Sequence, residues 1–524
     1  MKKGNLNGLL SGKHGRYLLY LIVVCIGIYE RFVLNGTSIL LEYDTPGYLM
    51  PALDTLSGHS FSAVAARSYP YPLLVLWLLF VFRTLSSVVV FQHVMAIAGA
   101  VLFIVYAENK RHILSSKFIF QWIYTLGILT VLAYLMLNTN LIVFEKTLRP
   151  EGLLAPYIVL FLFLVQSTLS HAGKGLLYFF LLTATATLGA LLLPRFLLSF
   201  GIAWLIVLLL AKSKALLHSY KGLLGALLIV SMLYNPDIFF RKYGDGAQKY
   251  FVYKQFFFSH STLFTPKEKD IYAGIDTMVA KQVTQCTAIK NKILYPIKGY
   301  NTDSLQYVSI GPRILNEAVY LYANGLSDSI QSSSSKRADT LNHLRKINRM
   351  LGTYYRSRSK DLLINNIPSI IRQAFRQFLY VVSDKDLRQY VFPSEMTLQG
   401  NFIVKPHQLQ SVNYLTEKLH YNLGTNLDIK SPSIVVTFFN IISVLLKYLI
   451  LVGVPVLFFL CIFKKKRLPL IFLIILSMYL GAIFTVSFLH TFDHVRYLHS
   501  LLPLTLLLLF ETMYGILILF EKGE

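Results

Sequence analysis

The chain has 524 residues, of which 55% are hydrophobic and only 15% charged, with a mean hydropathy of +0.54. Soluble domains carry about 25% charged residues, so this composition excludes an ordinary water-soluble protein and describes an integral, multi-pass membrane protein. The net charge of +24 accompanies no nucleic-acid-binding fold signature. Lysine and arginine gather at cytoplasmic membrane faces and near anionic lipid, so the charge is read as topology, with membrane lipids and not nucleic acid as partners. The three cysteines, Cys25, Cys286 and Cys461, are too scattered for a disulfide framework or a zinc site.

A hydrocarbon layer about 30 Å thick needs about 20 apolar residues in a helix. Stretches of that kind fall at 17–36, 86–107, 118–137, 152–169, 176–193, 196–211, 220–235, 446–463, 468–489 and 497–520. The apolar run 71–82 is shorter and bracketed by Pro70, Pro72 and Arg83, which suits an interfacial or re-entrant helix better than a crossing. With that run not crossing and both termini cytoplasmic, Lys2, Lys3, Lys13, Arg16, Lys110, Arg111, Lys212, Lys214, Lys221 and Lys464–Arg467 all fall inside, as the positive-inside rule requires. Glu30 and Arg31 after the first apolar run, without a small-residue cleavage site, favour an anchor over a cleaved signal peptide.

The expected fold is therefore all-α and polytopic, with about ten transmembrane helices, a short juxtamembrane helix and a large, mainly α outer-side domain between spans seven and eight. Its divisions are 1–235, a membrane module of seven spans; 236–432, the outer domain with a Ser-rich hinge at Ser332–Ser335; and 433–524, a second membrane module. Within the outer domain, Ile370, Ile371, Ala374, Phe375, Phe378 and Leu379 recur at helical spacing with Arg372 and Arg376 between them. That pattern describes either a basic amphipathic helix on the bilayer or a helix packed inside the domain.

The residues able to carry chemistry collect in the outer loops. Glu42 and Asp44 lie in Glu-Tyr-Asp-Thr-Pro-Gly-Tyr just after the first span, followed by Arg67, Tyr69 and Tyr71. Further along come Arg149, Pro150 and Glu151, then Pro194 and Arg195, then Asp493, His494, Val495, Arg496 and Tyr497. Several of these also have bland readings. Asp44 before Thr-Pro-Gly makes a good turn or helix cap, and Arg149 and Glu151 would pair at the mouth of a span. Lys447 within an apolar stretch is costly unless it snorkels to the surface, and His93 and Glu511 fit helix-to-helix hydrogen bonds. His490, Asp493, His494 and His499 match no zinc spacing, and no phosphate loop or nucleotide motif occurs.

Taken in order, the first outer loop with Asp-Thr-Pro-Gly-Tyr-Leu and Pro-Ala-Leu, Arg67, Tyr-Pro-Tyr-Pro, Gln92, Leu-Arg-Pro-Glu at 148–151, Leu-Pro-Arg at 193–195 and Asp-His-Val-Arg-Tyr at 493–497 resemble the glycosyltransferase-C superfold. The likeness is to its polyprenyl-phosphate-sugar-dependent mannosyltransferase and aminoarabinose-transferase families, and it covers the membrane part but not 236–432. The resemblance implies an inverting transfer of a sugar from a polyprenyl-phosphate donor to a hydroxyl of a lipid, glycan or protein acceptor, at the outer face of a bacterial inner membrane. It implies Asp44 as the base, with Glu42 in reserve. Arg195, Arg496, Lys447 and His494 would hold the donor phosphate, and Arg67, Tyr69, Arg149, Glu151 and Asp493 would contact substrate. No cofactor is expected. Some members of the superfold use a divalent cation, for which Glu42 and Asp44 with Glu145 or Glu151 would supply oxygen ligands. Two other classes remain beside this one, an O-antigen ligase or polymerase type of enzyme and a lipid or sugar flippase or transporter. The acidic first loop tells against the ligase type, and the lack of repeated halves tells against a transporter.

Overall fold

The structure is a computed structural model, and it describes residues 13–40, 45–63, 67–114, 118–170, 175–210, 220–242, 244, 246–247, 251–260, 263–267, 272–277, 279–280, 337–383, 417–419, 433–489 and 494–521. Among these residues the chain is helical, with no strand beyond one isolated bridge between Leu40 and Thr147. In chain order the helices are α1 (Lys13–Tyr29, extended by a π-turn Glu30–Leu34), α2 (Thr45–Leu56), α3 (Pro70–Phe82), α4 (Ser86–Arg111), α5 (Phe118–Leu137) and α6 (Thr139–Lys146). Then follow α7 (Leu154–Ser170), α8 (Gly175–Leu192), α9 (Leu197–Leu210), α10 (Tyr220–Lys242), α11 (Phe251–Ser259), α12 (Arg337–Ser383), α13 (Ser433–Phe463), α14 (Leu470–Leu489) and α15 (His494–Glu521).

Among the described residues, seven helical segments are long and apolar enough to cross a membrane: 13–34, 86–111, 118–137, 150–170, 222–242, 470–489 and 501–520. Shorter apolar helices cover 70–82, 176–192, 194–209 and 448–463. The chain is a membrane protein on this ground. One continuous apolar core joins α1, α4, α5, α7, α8, α9, α13, α14 and α15. α1 packs on α5, α4 on α7, α7 on α8, α9 on α14, and α13 and α14 on α15. The α4–α7 crossing is close because Gly99 lacks a side chain there: a Cβ on it would stand 2.6 Å from the Cα of Pro156.

Polar pairs fix the two ends of this bundle. At one end, Lys110 pairs with Glu511 of α15, and Tyr106 donates to the same carboxylate at 2.8 Å. Beside them Arg111 and Tyr20 share Glu108 at 2.7 and 2.9 Å. This pairing satisfies the helix-to-helix role expected of Glu511. At the other end, Arg31 binds Glu145 and the last carbonyls of α5, at Leu135 and Met136.

The short helix α3 begins and ends at this second end. Its Tyr71 hydroxyl donates to Gln92, in the second turn of α4, at 3.2 Å, while its last residue is four positions before α4 starts. Pro70 and Pro72 suit a helix start, where the missing N–H groups have no intrahelical partner. Arg83 ends it in the left-handed region (φ 55°), returning its N–H to Leu79. At 13 residues, or about 20 Å, the helix is shorter than a bilayer, as the sequence suggests.

Two departures from the sequence reading matter for the site. α10 does not stop at Pro236; it runs through to Lys242 and carries Asp237 and Arg241 into the site. α12 is a single 47-residue element kinked at Asn366, just before Pro368. It packs on α11 and on α14, so the described part of the 236–432 segment rests directly on the bundle. The Ser332–Ser335 hinge lies outside the described residues.

Candidate functional site

At the Arg31 end, a cavity of about 710 Å³ opens between α2, α3, α8, α9, α10 and the start of α11. Its mouth is lined by Arg67, Arg195 and Arg241, with Glu151, Ser68, Tyr48 and Tyr71. Below the mouth the lining changes character. Thr183, Ala186, Thr187 and Ala190 form one face of α8, opposite Leu197, Gly201 and Trp204 of α9 and Val230 of α10. Thr183 is nine residues from the end of α8, so this apolar furrow reaches about 13 Å along the helix. The cavity thus sets three guanidiniums at one end of a furrow of small and apolar side chains.

Local sequence sets each mouth residue. Arg149 stands before Pro150 and is forced into extended backbone (φ −151°, ψ 149°). The 3₁₀ turn Pro150–Leu153 that follows presents Glu151. Pro194 starts a second 3₁₀ turn, Pro194–Phe196, linking α8 to α9 and presenting Arg195. The two turns meet where Arg195 Nη1 donates to Glu151 Oε1 at 3.1 Å. Arg67 lies over the ring of Tyr48, 4.5 Å from its centroid, and Tyr48 packs edge-on against Tyr71.

The end of α10 clamps the residues just before α3 over the cavity. Asp237 accepts from the backbone N–H of Tyr69 at 3.1 Å and from Arg241 at 2.5 Å, and Arg241 donates to Ser68 Oγ at 2.6 Å. The Tyr69 hydroxyl donates to the Leu233 carbonyl, and Ala63 N–H donates to the Phe240 carbonyl. Gly244 lies against Ala63, 3.0 Å from its carbonyl carbon at the position a Cβ would take. Burial, then the nearby Asp237 carboxylate, raises the Tyr69 phenol above its ordinary value.

Next to the cavity lies a buried polar network. Arg31 donates every guanidinium N–H: to both oxygens of Glu145 at 2.6 and 2.7 Å, to Leu135 at 3.1 Å, to Gly27 at 3.3 Å and to Met136. His93 Nδ1 meets the same carboxylate at 2.8 Å and donates to it. Gln92 donates to the carbonyls of Glu145 and Thr147 at 2.8 and 2.9 Å. Asn138 caps α6 by accepting from the N–H groups of Asn140 and Leu141. Beyond α6, Leu40 N–H donates to the Lys146 carbonyl at 2.8 Å, and Lys146 Nζ donates to Asn35 and Ser38. Burial pushes the Lys146 ammonium down to about 8. The network ties the residues that follow α1 to the end of α6.

The residues picked from sequence divide as follows. Arg67, Glu151 and Arg195 line the cavity together. Tyr69 serves the clamp through its hydroxyl and its backbone. Arg149 is buried, in the turn that carries Glu151. Glu42, Asp44 and Asp493 lie outside the described residues, and so do the side chains of Lys447, His494 and Arg496. Arg241 lies beyond the apolar stretch 220–235, so hydropathy does not assign it to that helix. The signal that would have found it is Asp237 four residues before it, an i,i+4 ion pair that marks a continuing helix. Glu145, a candidate metal oxygen on sequence, has both oxygens occupied by Arg31 and His93. Among the described residues, no group of three or more His, Cys, Asp or Glu side chains is placed to hold a metal ion. No protein family, curated protein or solved structure matches the chain.

Proposed function

We propose that the protein is a membrane glycosyltransferase that moves a sugar, with inversion, from a polyprenyl phosphate to an acceptor hydroxyl at the end of the bundle where the cavity opens. About ten crossings with both termini cytoplasmic make this the outer face. One observation carries the reading: three guanidiniums, Arg67, Arg195 and Arg241, stand over a furrow of small and apolar side chains between α8, α9 and α10. An isoprenoid chain would lie in the furrow and its phosphate at the arginines.

In the reaction the acceptor oxygen attacks the anomeric carbon as the bond from that carbon to the phosphate oxygen breaks. The hydroxyl proton passes to a carboxylate, and the departing phosphate gathers charge that the arginines stabilise. Glu151 holds Arg195 in place through its ion pair. Asp44 is the base in this reading, with Glu42 in reserve. Asp44 precedes Thr45, the first residue of α2, and Tyr48 in the first turn of α2 lines the cavity.

A ligase or polymerase acting on a lipid-linked glycan is the second reading. It draws on the number of arginines at the mouth and on the engagement of Glu151 with one of them. The test is transfer of labelled sugar from polyprenyl-phosphate sugars in membranes. Arg195→Ala and Arg241→Ala should each lower transfer by about 100-fold at equal expression, the usual effect of removing one preorganised donor to developing charge. Asp237→Asn should lower it less, because Arg241 keeps its bond to Ser68. Full activity in both arginine variants would refute the assigned phosphate site.

A further inference from the structure

Away from the cavity, the outward face of α12 changes chemistry along its length. The inward face, with Leu351, Tyr354, Leu362, Ile370 and Ala374, is buried, and the helix packs on α11 and α14. The opposite face follows a strict three-to-four-residue spacing and is exposed throughout. It begins with Lys346, Arg349, Thr353, Arg356 and Lys360, then continues with Ile364, Ile367, Ile371, Phe375 and Leu379, with Arg372 exposed on the flank of this second row. The switch from basic to apolar falls just before the kink at Asn366 and Pro368.

The apolar half spans about 22 Å, and its large side chains are far from buried: Ile364, Ile371 and Phe375 are 62%, 61% and 59% exposed. A stripe of this size on a water-facing helix is unfavourable. It is, however, continuous with the lipid-facing side of the bundle. Phe378, on the flank of the stripe, packs against the bundle core. Phe484 of the apolar helix α14 is exposed and stacks on Phe488 at 5.7 Å, and Phe488 packs under α11. The face therefore leads from bilayer hydrocarbon to a row of four cations.

We propose that α12 is an interfacial helix, its half from Ile364 to Leu379 embedded in the leaflet at the cavity end and its half from Lys346 to Lys360 resting on anionic lipid headgroups. The helix then fixes the height of the inserted segment over the cavity. Apolar burial and attraction of each basic residue to anionic lipid act together in such helices. This inference needs only a membrane protein and does not depend on the transfer reaction.

The test places the photo-crosslinker benzoylphenylalanine at Ile371, Phe375 or Thr353 in the full chain. The protein is reconstituted in vesicles of phosphatidylethanolamine with phosphatidylglycerol, or of phosphatidylcholine alone. Lipid adducts are expected at Ile371 and Phe375 and not at Thr353, which lies on the basic half. Combining R356E with K360E should remove most of the adduct at Ile371 in the anionic vesicles. Cross-links from Ile371 and Phe375 to residues 281–336 or 384–432, or to a second copy, would overturn the proposal by showing that protein covers the stripe. Failure to cross-link at either position would show water there and overturn it as well. Equal adduct yields at Ile371 in the two kinds of vesicle would refute the role of the basic half.

Discussion

Asp44→Asn is expected to abolish sugar transfer from polyprenyl phosphate by a factor of about 100 to 10,000, the range for losing a positioned general base, while the protein stays folded. Asn keeps the shape and the capacity to cap a helix, so a structural Asp44 would survive the change, whereas a base would not. A hydroxyl is a poor nucleophile until its proton is taken, and the described carboxylates near the cavity are committed elsewhere. Glu151 holds Arg195, Asp237 holds Arg241, and Glu145 holds Arg31 and His93. Glu42 and Asp44 stand in the first loop, immediately ahead of α2. Asp44→Asn should leave donor binding close to wild type, because the phosphate contacts assigned to Arg67, Arg195 and Arg241 do not involve it. Transfer that persists in Asp44→Asn and falls in Glu42→Gln would move the role to the reserve residue.

The second large effect is on stability. Glu145→Ala should destabilise the protein by about 3–5 kcal/mol, the cost of leaving a buried charge without its partner. Arg31 and Glu145 are both essentially inaccessible to solvent, and the carboxylate takes two bonds from the guanidinium and one from His93. Removing it strands the guanidinium in an apolar surrounding with only carbonyl acceptors. Arg31→Met combined with Glu145→Leu should recover much of the loss, since a buried ion pair replaced by apolar residues of similar volume is often neutral or stabilising. Thermal unfolding in detergent or nanodiscs reads both results. A Glu145→Ala protein as stable as wild type would mean that the network contributes nothing to the fold.

Much of the architecture was legible in the sequence because membrane helices declare themselves by length and hydropathy. The stretches 86–107, 118–137 and 468–489 coincide with α4, α5 and α14 within a few residues. α3 was legible as a short element from Pro70, Pro72 and Arg83, since proline suits the first turn of a helix and the charge at Arg83 closes the apolar run. Arg67, Glu151 and Arg195 were legible as polar residues at span ends, and the cavity gathers them. What hydropathy does not carry is pairing between distant segments. Arg31 reads as a flanking charge after an apolar run, and only the fold shows it satisfied by residues more than a hundred positions away. For Tyr69, too, only the fold shows its hydroxyl donating to the distant Leu233 carbonyl. Arg241 lies past the apolar run 220–235 and past Pro236, outside the span that hydropathy marks. An isolated proline costs one hydrogen bond and a kink, and here apolar residues before it and the Asp237–Arg241 pair after it hold the helix together.

The most direct test of the lipid-phosphate site is photolabelling with a polyprenyl phosphate that carries a diazirine in its isoprenoid chain, applied to the full protein in membranes. Adducts are expected on α8 and α9 around Thr187 and Gly201. They should be competed by unlabelled polyprenyl phosphate but not by the neutral polyprenol, and be lost in Arg195→Ala and Arg241→Ala. Adducts elsewhere on the bundle, or labelling that polyprenol competes equally well, would contradict it, because the furrow would then hold either no carrier lipid or one whose phosphate the arginines do not bind.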